Sequence, residues 1–381
     1  MKSILKFLLK LNLSTKLEDL YCRIPYYGGR GKAFNPLSVV LLASYRCNLR
    51  CKMCFYYNEE EADNTYDLIE ERQEDELSKP QILKLIDDSA EMNVKVFTIH
   101  GGEPLLYPDF FDIAEYAYHK GMLVNIVSNG TLITKETAKK IVETKINHIT
   151  FSLDGPETIH DEVRNVKGTF KKLISGIENL KELENNGHTI PRLSIGTYIS
   201  ALNQHNITEI IDVIKKLDIQ DWGVGLITYN NEKLTESTKK MLGFIDKSHQ
   251  GSIENIPDEV KNIDISNLKK QRQLVKEKNT IYGINIIFPS EKAIDNYYNN
   301  VYNERNYCLI PWARTVISPY GEVFPCINFS LIGYNLGNIK EKSLKDIWNS
   351  LPYKDFRRML KKRGLFPLCS KCCMINNIRK L

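Results

Sequence analysis

Short runs of apolar, β-branched residues alternate with amphipathic segments from residue 37 to about residue 228. The amphipathic segments have helical periodicity and follow capping residues, as at Ser78 before Lys79 to Met92 and Thr134 before Lys135 to Thr144. Such alternation predicts a parallel sheet whose strands are connected by helices. The predicted strands are Ser38 to Ala43, Lys95 to His100, Leu123 to Ser128, His148 to Leu153, Arg192 to Ile199 and Trp222 to Thr228.

Six strand-helix units are too few to close an eight-stranded barrel, so we predict the α/β class with a partial, TIM-like (β/α)6 barrel over residues 37–230. Residues 1–36 are expected to form an amphipathic extension. Residues 231–305, rich in Lys, Asn, Asp and Ile, are expected to be a connector or insertion, and residues 306–381 a small α+β domain. In this fold the loops at the carboxyl ends of the strands form the site.

The composition is that of an ordinary globular protein, with 42% apolar and 26% charged residues among 381. Nine cysteines could suggest a secreted disulfide protein, but here they cluster at metal-ligand spacings and no cleavable signal precedes them. A reducing, cytoplasmic location therefore fits best.

The first 20 residues combine apolar side chains with Lys2, Lys6 and Lys10. This segment is too short and too charged to span a membrane. We expect it to form a helix packed on the barrel, and a helix that contacts a membrane surface is the alternative.

Charge is unevenly distributed, although the net charge is only +5. Residues 59–76 hold ten acidic residues and one arginine, whereas residues 340–381 hold twelve Lys or Arg and three acidic residues. Both segments could simply be solvated surfaces. We hypothesise that the basic C-terminal face binds an acidic flavodoxin or ferredoxin as electron donor. No basic patch with interleaved aromatic residues predicts nucleic-acid binding.

Three cysteines, Cys47, Cys51 and Cys54, follow the first predicted strand within eight residues, a segment that we call the cysteine loop. A 4Fe-4S cluster has four irons, so three thiolates would leave one iron open to a small molecule. The alternatives are a zinc knuckle and buried thiols without metal. The nearest histidine is the distant His100, which favours the cluster.

The second predicted strand ends in His100-Gly101-Gly102-Glu103-Pro104. Two glycines allow the backbone to approach a ligand closely. The carboxylate of Glu103 can accept hydrogen bonds from an ammonium group. Alone this segment could be a simple turn, but it lies one strand from the cysteine loop.

Together these two motifs resemble the radical S-adenosylmethionine (SAM) superfamily, whose signature is C-x3-C-x2-C with an apolar or aromatic residue, here Met53, before the last cysteine. The resemblance implies that SAM chelates the open iron and that an electron from the cluster cleaves SAM to a 5'-deoxyadenosyl radical. It also implies that the GGEP motif binds the methionine amino group of SAM and that Met53 contacts its adenine.

Short polar residues at the ends of the third and fourth strands resemble the family's ribose and carboxylate contacts, although such residues are often only turn formers. The positions are Ser128, Asn129, Ser152 and Asp154. Arg164 resembles an arginine that binds the SAM carboxylate in relatives, with a surface ion pair as the alternative. The family's G-x-I-x-G-x-x-E pattern is absent from the fifth strand, so adenine contacts beyond Met53 stay open.

Four further cysteines near the C-terminus form two pairs, Cys308 and Cys326 around Gly321, and Cys369 with Cys372. A hairpin turn at Gly321 would bring the first pair together. On chemistry alone, a structural zinc site and a cluster are both open. The spacing resembles the twitch domain, a truncated SPASM domain, which implies one auxiliary 4Fe-4S cluster ligated by these four C-terminal cysteines.

Two cysteines have no place in these sets. Cys373 is an extra residue that could replace one of the terminal ligands, and Cys22 is expected to be a buried thiol.

A cluster with four cysteine ligands has no open iron and would accept an electron, as in dehydrogenation of a small molecule or crosslinking of a peptide. We therefore predict a radical SAM oxidoreductase or modifying enzyme acting on a peptide or small molecule. The catalytic base stays unknown, with Tyr198, Tyr229 and His205 as weak candidates. The alternative is a non-catalytic, zinc-binding interaction protein on a barrel scaffold.

Overall fold

The computed structural model describes residues 15–54, 56, 72–227, 232–243, 261–299 and 307–372. Its described residues build one nine-stranded sheet in the order β7-β6-β5-β4-β3-β2-β1-β8-β9, which is not closed. The strands are β1 Ser38–Ser44, β2 Val96–Gly101, β3 Leu123–Ser128, β4 His148–Ser152, β5 Arg192–Ile199, β6 Asp221–Leu226, β7 Asn285–Ile287, β8 Arg314–Ile317 and β9 Val323–Phe324.

Helices connect the strands and begin where the sequence provides caps. Ser78 forms a capping box with Gln81, and the Thr134 hydroxyl accepts from the Thr137 amide at 3.2 Å. The helices are α1 Thr15–Gly28, α2 Lys79–Glu91, α3 Phe110–His119, α4 Lys135–Glu143, α5 Glu157–Arg164, α6 Thr169–Asn185, α7 Ile207–Lys216, α8 Glu232–Leu242, α9 Ile265–Tyr282, α10 Glu291–Tyr298, α11 Ile310–Ala313, α12 Ile327–Ser330, α13 Leu344–Trp348 and α14 Leu351–Arg363.

Strands β1 to β6 run parallel to one another, as the alternating pattern predicts, and the α/β fold with a parallel, unclosed sheet is confirmed. The sheet is wider than six strands because later segments extend both edges. β7 pairs in parallel with β6, and β8 pairs in parallel with β1, with Ser38 opposite Arg314. The hairpin predicted around Gly321 is β8 with β9, whose pairing is antiparallel. The C-terminal segment therefore shares the sheet that carries the cysteine loop.

One face of the strands forms the core against the helices. Phe97, Ile99, Ile126 and Phe151 are at most 1% exposed and belong to a single apolar cluster that includes helix residues. Because side chains alternate along a strand, the neighbouring positions point to the opposite face. That face carries polar groups missed by the sequence analysis, such as His148, whose Nε2 lies 2.8 Å from the Ser194 hydroxyl.

Several sequence predictions fall outside the described residues. Residues 1–14 of the N-terminal amphipathic segment, residues 59–71 of the acidic segment, Tyr229 and Cys373 are among them. The described remainder of the N-terminal extension includes α1, where Cys22 is fully buried as expected. Among the described residues, no helix has the length and apolar character needed to cross a membrane.

Candidate functional site

The cysteine loop follows β1 at the carboxyl edge of the sheet. Cys51 is buried, Cys47 and Cys54 are half-buried, and none of the three forms a disulfide bond. The Leu49 amide donates to Cys47 Sγ at 3.4 Å, and the Cys54 amide donates to the Cys51 carbonyl at 2.9 Å. Burial raises the pKa of the Cys47 thiol to about 12; the Leu49 amide opposes this rise, and the neighbouring Cys51 contributes to it. The surroundings of Cys47 thus disfavour its thiolate unless a cationic group binds it.

Gly101 and Gly102 hold the end of β2 against the chain that leads into the cysteine loop. Gly101 has a φ of +136°, and a Cβ there would lie 2.2 Å from the Ser44 carbonyl oxygen. A Cβ on Gly102 would lie 2.2 Å from the Arg46 carbonyl oxygen. The amides of Gly102 and Glu103 donate to those same two oxygens at 2.8 and 2.9 Å. Both glycines thus approach protein backbone closely, and their contact with SAM stays a prediction.

The Glu103 carboxylate is fully buried and organises the ends of β2 and β3. Its Oε1 accepts from the Ser128 hydroxyl at 2.9 Å and from the Leu105 amide at 3.2 Å, and its Oε2 accepts from the Asn129 amide at 2.8 Å. Burial raises its pKa to about 7, although these hydrogen bonds oppose the shift. Glu103, Ser128 and Asn129, three of the predicted SAM contacts, are therefore in direct contact with one another.

Asn48 ties the cysteine loop to the end of β3. Its Oδ1 accepts from Asn129 Nδ2 at 2.9 Å, and its Nδ2 donates to the Thr131 hydroxyl at 2.8 Å. The Asn129 side-chain oxygen in turn accepts from the Thr131 amide at 2.9 Å. Sequence reasoning missed Asn48 and Thr131, because only the folded contacts distinguish them from ordinary loop residues.

Asp154 and Arg164 form an ion pair beside Cys51. Asp154 is fully buried and Arg164 is 8% exposed, so the pair is not the surface interaction that the sequence left open. Arg164 Nη1 also lies 3.6 Å from Cys51 Sγ. His160, another residue missed from sequence, accepts from the Asp154 amide through Nδ1 at 3.2 Å. Five elements thus meet at this point: the cysteine loop and the ends of β2, β3, β4 and α5.

The remaining predicted SAM contacts lie at the same edge. Met53 packs in a small apolar cluster with Val163, Ile227 and Leu331. Ser152 is half-buried at the end of β4, where it lies opposite Gly196 of β5. Two of the base candidates, Tyr198 and His205, are exposed.

The C-terminal cysteines come from three separate segments. Cys308 precedes α11, Cys326 caps α12, and Cys369 and Cys372 lie in and after the 3-10 turn Pro367–Lys371. The pKa of Cys369 is raised well above its usual range, first by burial and then by the other three thiols. The four thiols therefore lie within electrostatic range of one another, as one shared site requires.

Both sets of thiols provide the donors that an iron-sulfur cluster requires, namely cysteine sulfurs. Among the described residues, no group of three or more His, Cys, Asp or Glu side chains has the geometry of a site for one ion. A zinc ion would bind each sulfur at a zinc–sulfur distance of about 2.3 Å. A 4Fe-4S cluster instead distributes its thiolates over separate irons, which sets the sulfurs further apart.

Lys371 and Tyr297 connect the C-terminal cysteines to the barrel, and sequence reasoning missed both. Lys371 is fully buried between Cys369 and Cys372, and its ammonium donates to the Tyr297 carbonyl at 2.6 Å. Burial lowers the pKa of Lys371 to about 8. The Tyr297 hydroxyl donates to the carbonyls of Lys371, at 3.2 Å, and of Ile227 just after β6. This places the C-terminal cysteines at the same edge of the sheet as the cysteine loop.

Comparison with known proteins agrees with this arrangement. Residues 41–217 match the model of the radical SAM superfamily, and residues 308–373 match that of the SPASM iron-sulfur cluster-binding domain. The two matched segments contain the cysteine loop and the C-terminal cysteines, respectively.

Two relatives and one solved structure are each similar to most of the chain. The tungsten-containing aldehyde ferredoxin oxidoreductase cofactor-modifying protein of Pyrococcus furiosus is 28% identical over 359 residues, 86% of this chain and 85% of that protein. PqqA peptide cyclase of Granulibacter bethesdensis is 23% identical over 329 residues, 83% and 75% of the two chains. Streptococcus suis SuiB bound to S-adenosylmethionine has a TM-score of 0.63 at 18% identity. The superposition covers 99% of this chain and 83% of the SuiB chain. At that identity the likeness shows the fold alone.

Proposed function

The chain belongs to the radical SAM superfamily and carries an iron-sulfur cluster-binding SPASM domain, and from this premise we propose that it cleaves SAM reductively and abstracts a hydrogen atom from its substrate. Membership implies a 4Fe-4S cluster with SAM and an auxiliary iron-sulfur cluster. When bound, the first cluster supplies the electron that breaks a carbon-sulfur bond of SAM and yields the 5'-deoxyadenosyl radical.

The observation that carries this proposal is the hydrogen-bonded frame around the cysteine loop. Backbone pairing at Gly102, the Asn48 bridge and the Arg164 contact fix the loop from three sides. Cys47, Cys51 and Cys54 would hold the cluster in that frame. Preorganisation of this kind suits a site that must position a reactive cofactor and exclude water.

Residues around the frame are proposed to bind SAM. Glu103 would accept from the methionine ammonium, and its position beneath the ends of β2 and β3 supports this. Ser128, Asn129, Ser152 and Asp154 would contact or orient the ribose and carboxylate, and Met53 the adenine. The Asp154 carboxylate already pairs with Arg164, so its role would be to orient that arginine.

The C-terminal cysteines are proposed to ligate the auxiliary cluster and to accept the second electron. Abstraction of hydrogen leaves a substrate radical, which must lose one electron and one proton to give a product oxidised by two electrons. The cluster would take the electron and a base or water the proton. The Tyr297 link between Ile227 and Lys371 supports this role, because it holds residues 369–372 near the barrel's carboxyl edge.

We propose residues 37–230 and 306–381 as the two functional units, 231–305 as their connector and 1–36 as an extension.

The substrate is proposed to be a peptide or a small organic molecule. Relatives support both classes, since one is named as a peptide cyclase and another as a cofactor-modifying protein. A screen of peptides and small molecules for acceleration of SAM cleavage would distinguish them.

A reduced flavodoxin or ferredoxin in the cytoplasm is the proposed electron donor. The last turn of α14 supplies Lys361, Lys362 and Arg363, and all three side chains are exposed. An acidic donor would be attracted to this end of the helix, and salt would screen that attraction. Electron-transfer rates that do not change with ionic strength would contradict this proposal.

Anaerobic reconstitution tests the proposed function. The protein should bind about eight irons, since each of two clusters holds four, and should release 5'-deoxyadenosine from SAM after reduction. A colourless, zinc-containing protein that leaves SAM intact would instead support the interaction-protein alternative.

A further inference from the structure

Arg164 makes a contact that SAM binding does not require. Its Nη1 lies 3.6 Å from the Cys51 sulfur, within hydrogen-bond range of a sulfur acceptor, while its Nη2 pairs with Asp154. Cys51 and Arg164 are both buried. A guanidinium fixed beside a buried thiol is placed to donate to the thiolate that a cluster would require.

Further hydrogen bonds fix Asp154, which pairs with the guanidinium. Asp154 Oδ1 accepts from the Tyr198 amide of β5 at 3.1 Å, and the Asp154 amide donates to His160 Nδ1. These contacts fix the carboxylate between β4, β5 and α5. Arg164 Nη2 is thereby paired with Asp154, and Nη1 is directed at Cys51 Sγ.

Helix α5 is also attached to the cysteine loop through its backbone. The Lys52 amide donates to the Val163 carbonyl at 3.0 Å, and Val163 packs against Met53. The Lys52 ammonium pairs with Glu162 at 3.8 Å. These contacts attach the end of α5 to the loop, so the distance from Arg164 to Cys51 is set by the fold.

We propose that Arg164 is a positioning residue that donates a hydrogen bond to the Cys51 thiolate and raises the reduction potential of the cluster on the cysteine loop. Hydrogen bonds to cluster sulfurs and nearby positive charge stabilise the reduced, more negative state. This inference rests on the proposed function, since it requires that Cys51 ligates a cluster. It differs from a role in binding the SAM carboxylate because it acts before SAM arrives.

The test measures the midpoint potentials of both clusters by spectroscopically monitored redox titration of the reconstituted enzyme without SAM. Arg164→Gln should shift the cysteine-loop cluster to a more negative potential and leave the auxiliary cluster, an internal control, unchanged. Arg164→Lys keeps the charge but replaces the planar fork of donors with a single ammonium, so its shift should be smaller. Arg192→Gln is the matched control, since Arg192 also pairs with an aspartate, Asp221, at the opposite end of the strands.

The outcomes separate this inference from the proposed function. A cysteine-loop potential equal to wild type in both Arg164 variants overturns it, and weaker SAM binding in those variants would then assign Arg164 to the SAM carboxylate alone. If the glutamine variant loses its iron, the lysine variant decides: a cysteine-loop potential equal to wild type in that variant overturns the inference. Wild-type protein that assembles no cluster on the cysteine loop would contradict the proposed function itself.

Discussion

The thiols of the cysteine loop and those of the C-terminal cysteines are brought together in different ways. The loop takes its three cysteines from one eight-residue segment, which is held by backbone contacts with the end of β2 and with α5 and by side-chain contacts with the end of β3. The C-terminal cysteines come from segments up to 64 positions apart in the chain, counted from Cys308 to Cys372, and long-range contacts assemble them. The spacing of the loop thiols should therefore depend mainly on one segment of chain, whereas the C-terminal set should depend on the tertiary contacts that bring its three segments together.

Gly102→Ala should have the largest selective effect on the loop. Its new Cβ would meet the carbonyl oxygens of Arg46 and Tyr45, at 2.2 and 2.5 Å, and neither belongs to a flexible side chain. We expect a cost of about 1–3 kcal/mol and loss of about half of the bound iron, because the C-terminal cysteines keep their cluster. Iron analysis and thermal unfolding measure both.

Gly223→Ala on β6 is the matched control, since its Cβ would have only the Ile195 carbonyl oxygen within 4 Å, at 3.9 Å. Equal iron loss in both variants would mean that the close approach at Gly102 does not hold the loop.

Changes in pH should affect SAM binding at the loop through Glu103. Burial raises its pKa to about 7, so below that pH it is protonated and cannot pair with the SAM ammonium. SAM affinity should therefore fall as pH decreases through about 7, and Glu103→Gln should bind roughly tenfold more weakly at higher pH, with little pH dependence. Equilibrium binding to the reconstituted enzyme measures this, with Glu157→Gln on the exposed start of α5 as control.

The raised pKa of Glu103 also makes the stability of the fold depend on pH. A carboxyl whose pKa is raised on folding stabilises the fold when protonated, and that contribution is lost as pH rises through the folded-state pKa. Protein without SAM should lose stability between about pH 4.5 and 7 relative to Glu103→Gln. Parallel stability profiles for the two proteins would contradict the buried, protonatable state of Glu103.

Tyr297→Phe should have a smaller effect, on the C-terminal cysteines. The variant loses the hydroxyl that bridges the Ile227 and Lys371 carbonyls. Leaving buried carbonyls unpaired costs roughly 1–3 kcal/mol, and the auxiliary cluster should lose iron to a chelator faster. The cysteine-loop cluster should be unaffected. Tyr116→Phe, which removes a hydroxyl contact to Asp87 between helices α3 and α2, is the control, and equal iron lability in both variants would contradict the bridging role.

Local sequence patterns predicted much of the fold and the position of the site. Alternating strands and helices located β1 to β6, and the motifs after β1 to β4 placed the cysteine loop, Glu103, Asn129 and Asp154 at one edge. Periodicity did not reveal that β8 joins β1, because that pairing links residues far apart in the chain.

The contacts of Asn48, His160, Tyr297 and Lys371 also escaped sequence reasoning. Each is an unremarkable residue in the chain, and its role depends on partners that only the tertiary fold brings within reach. The pairing of Asp154 with Arg164 was missed for the same reason.

The most direct test of the two-site account compares Cys51→Ala with Cys326→Ala, both reconstituted anaerobically and supplied with SAM and a strong reductant. The account predicts that Cys51→Ala releases no 5'-deoxyadenosine, whereas Cys326→Ala still cleaves SAM but does not complete the two-electron oxidation of a substrate. Cleavage of SAM by Cys51→Ala at the wild-type rate would contradict the account.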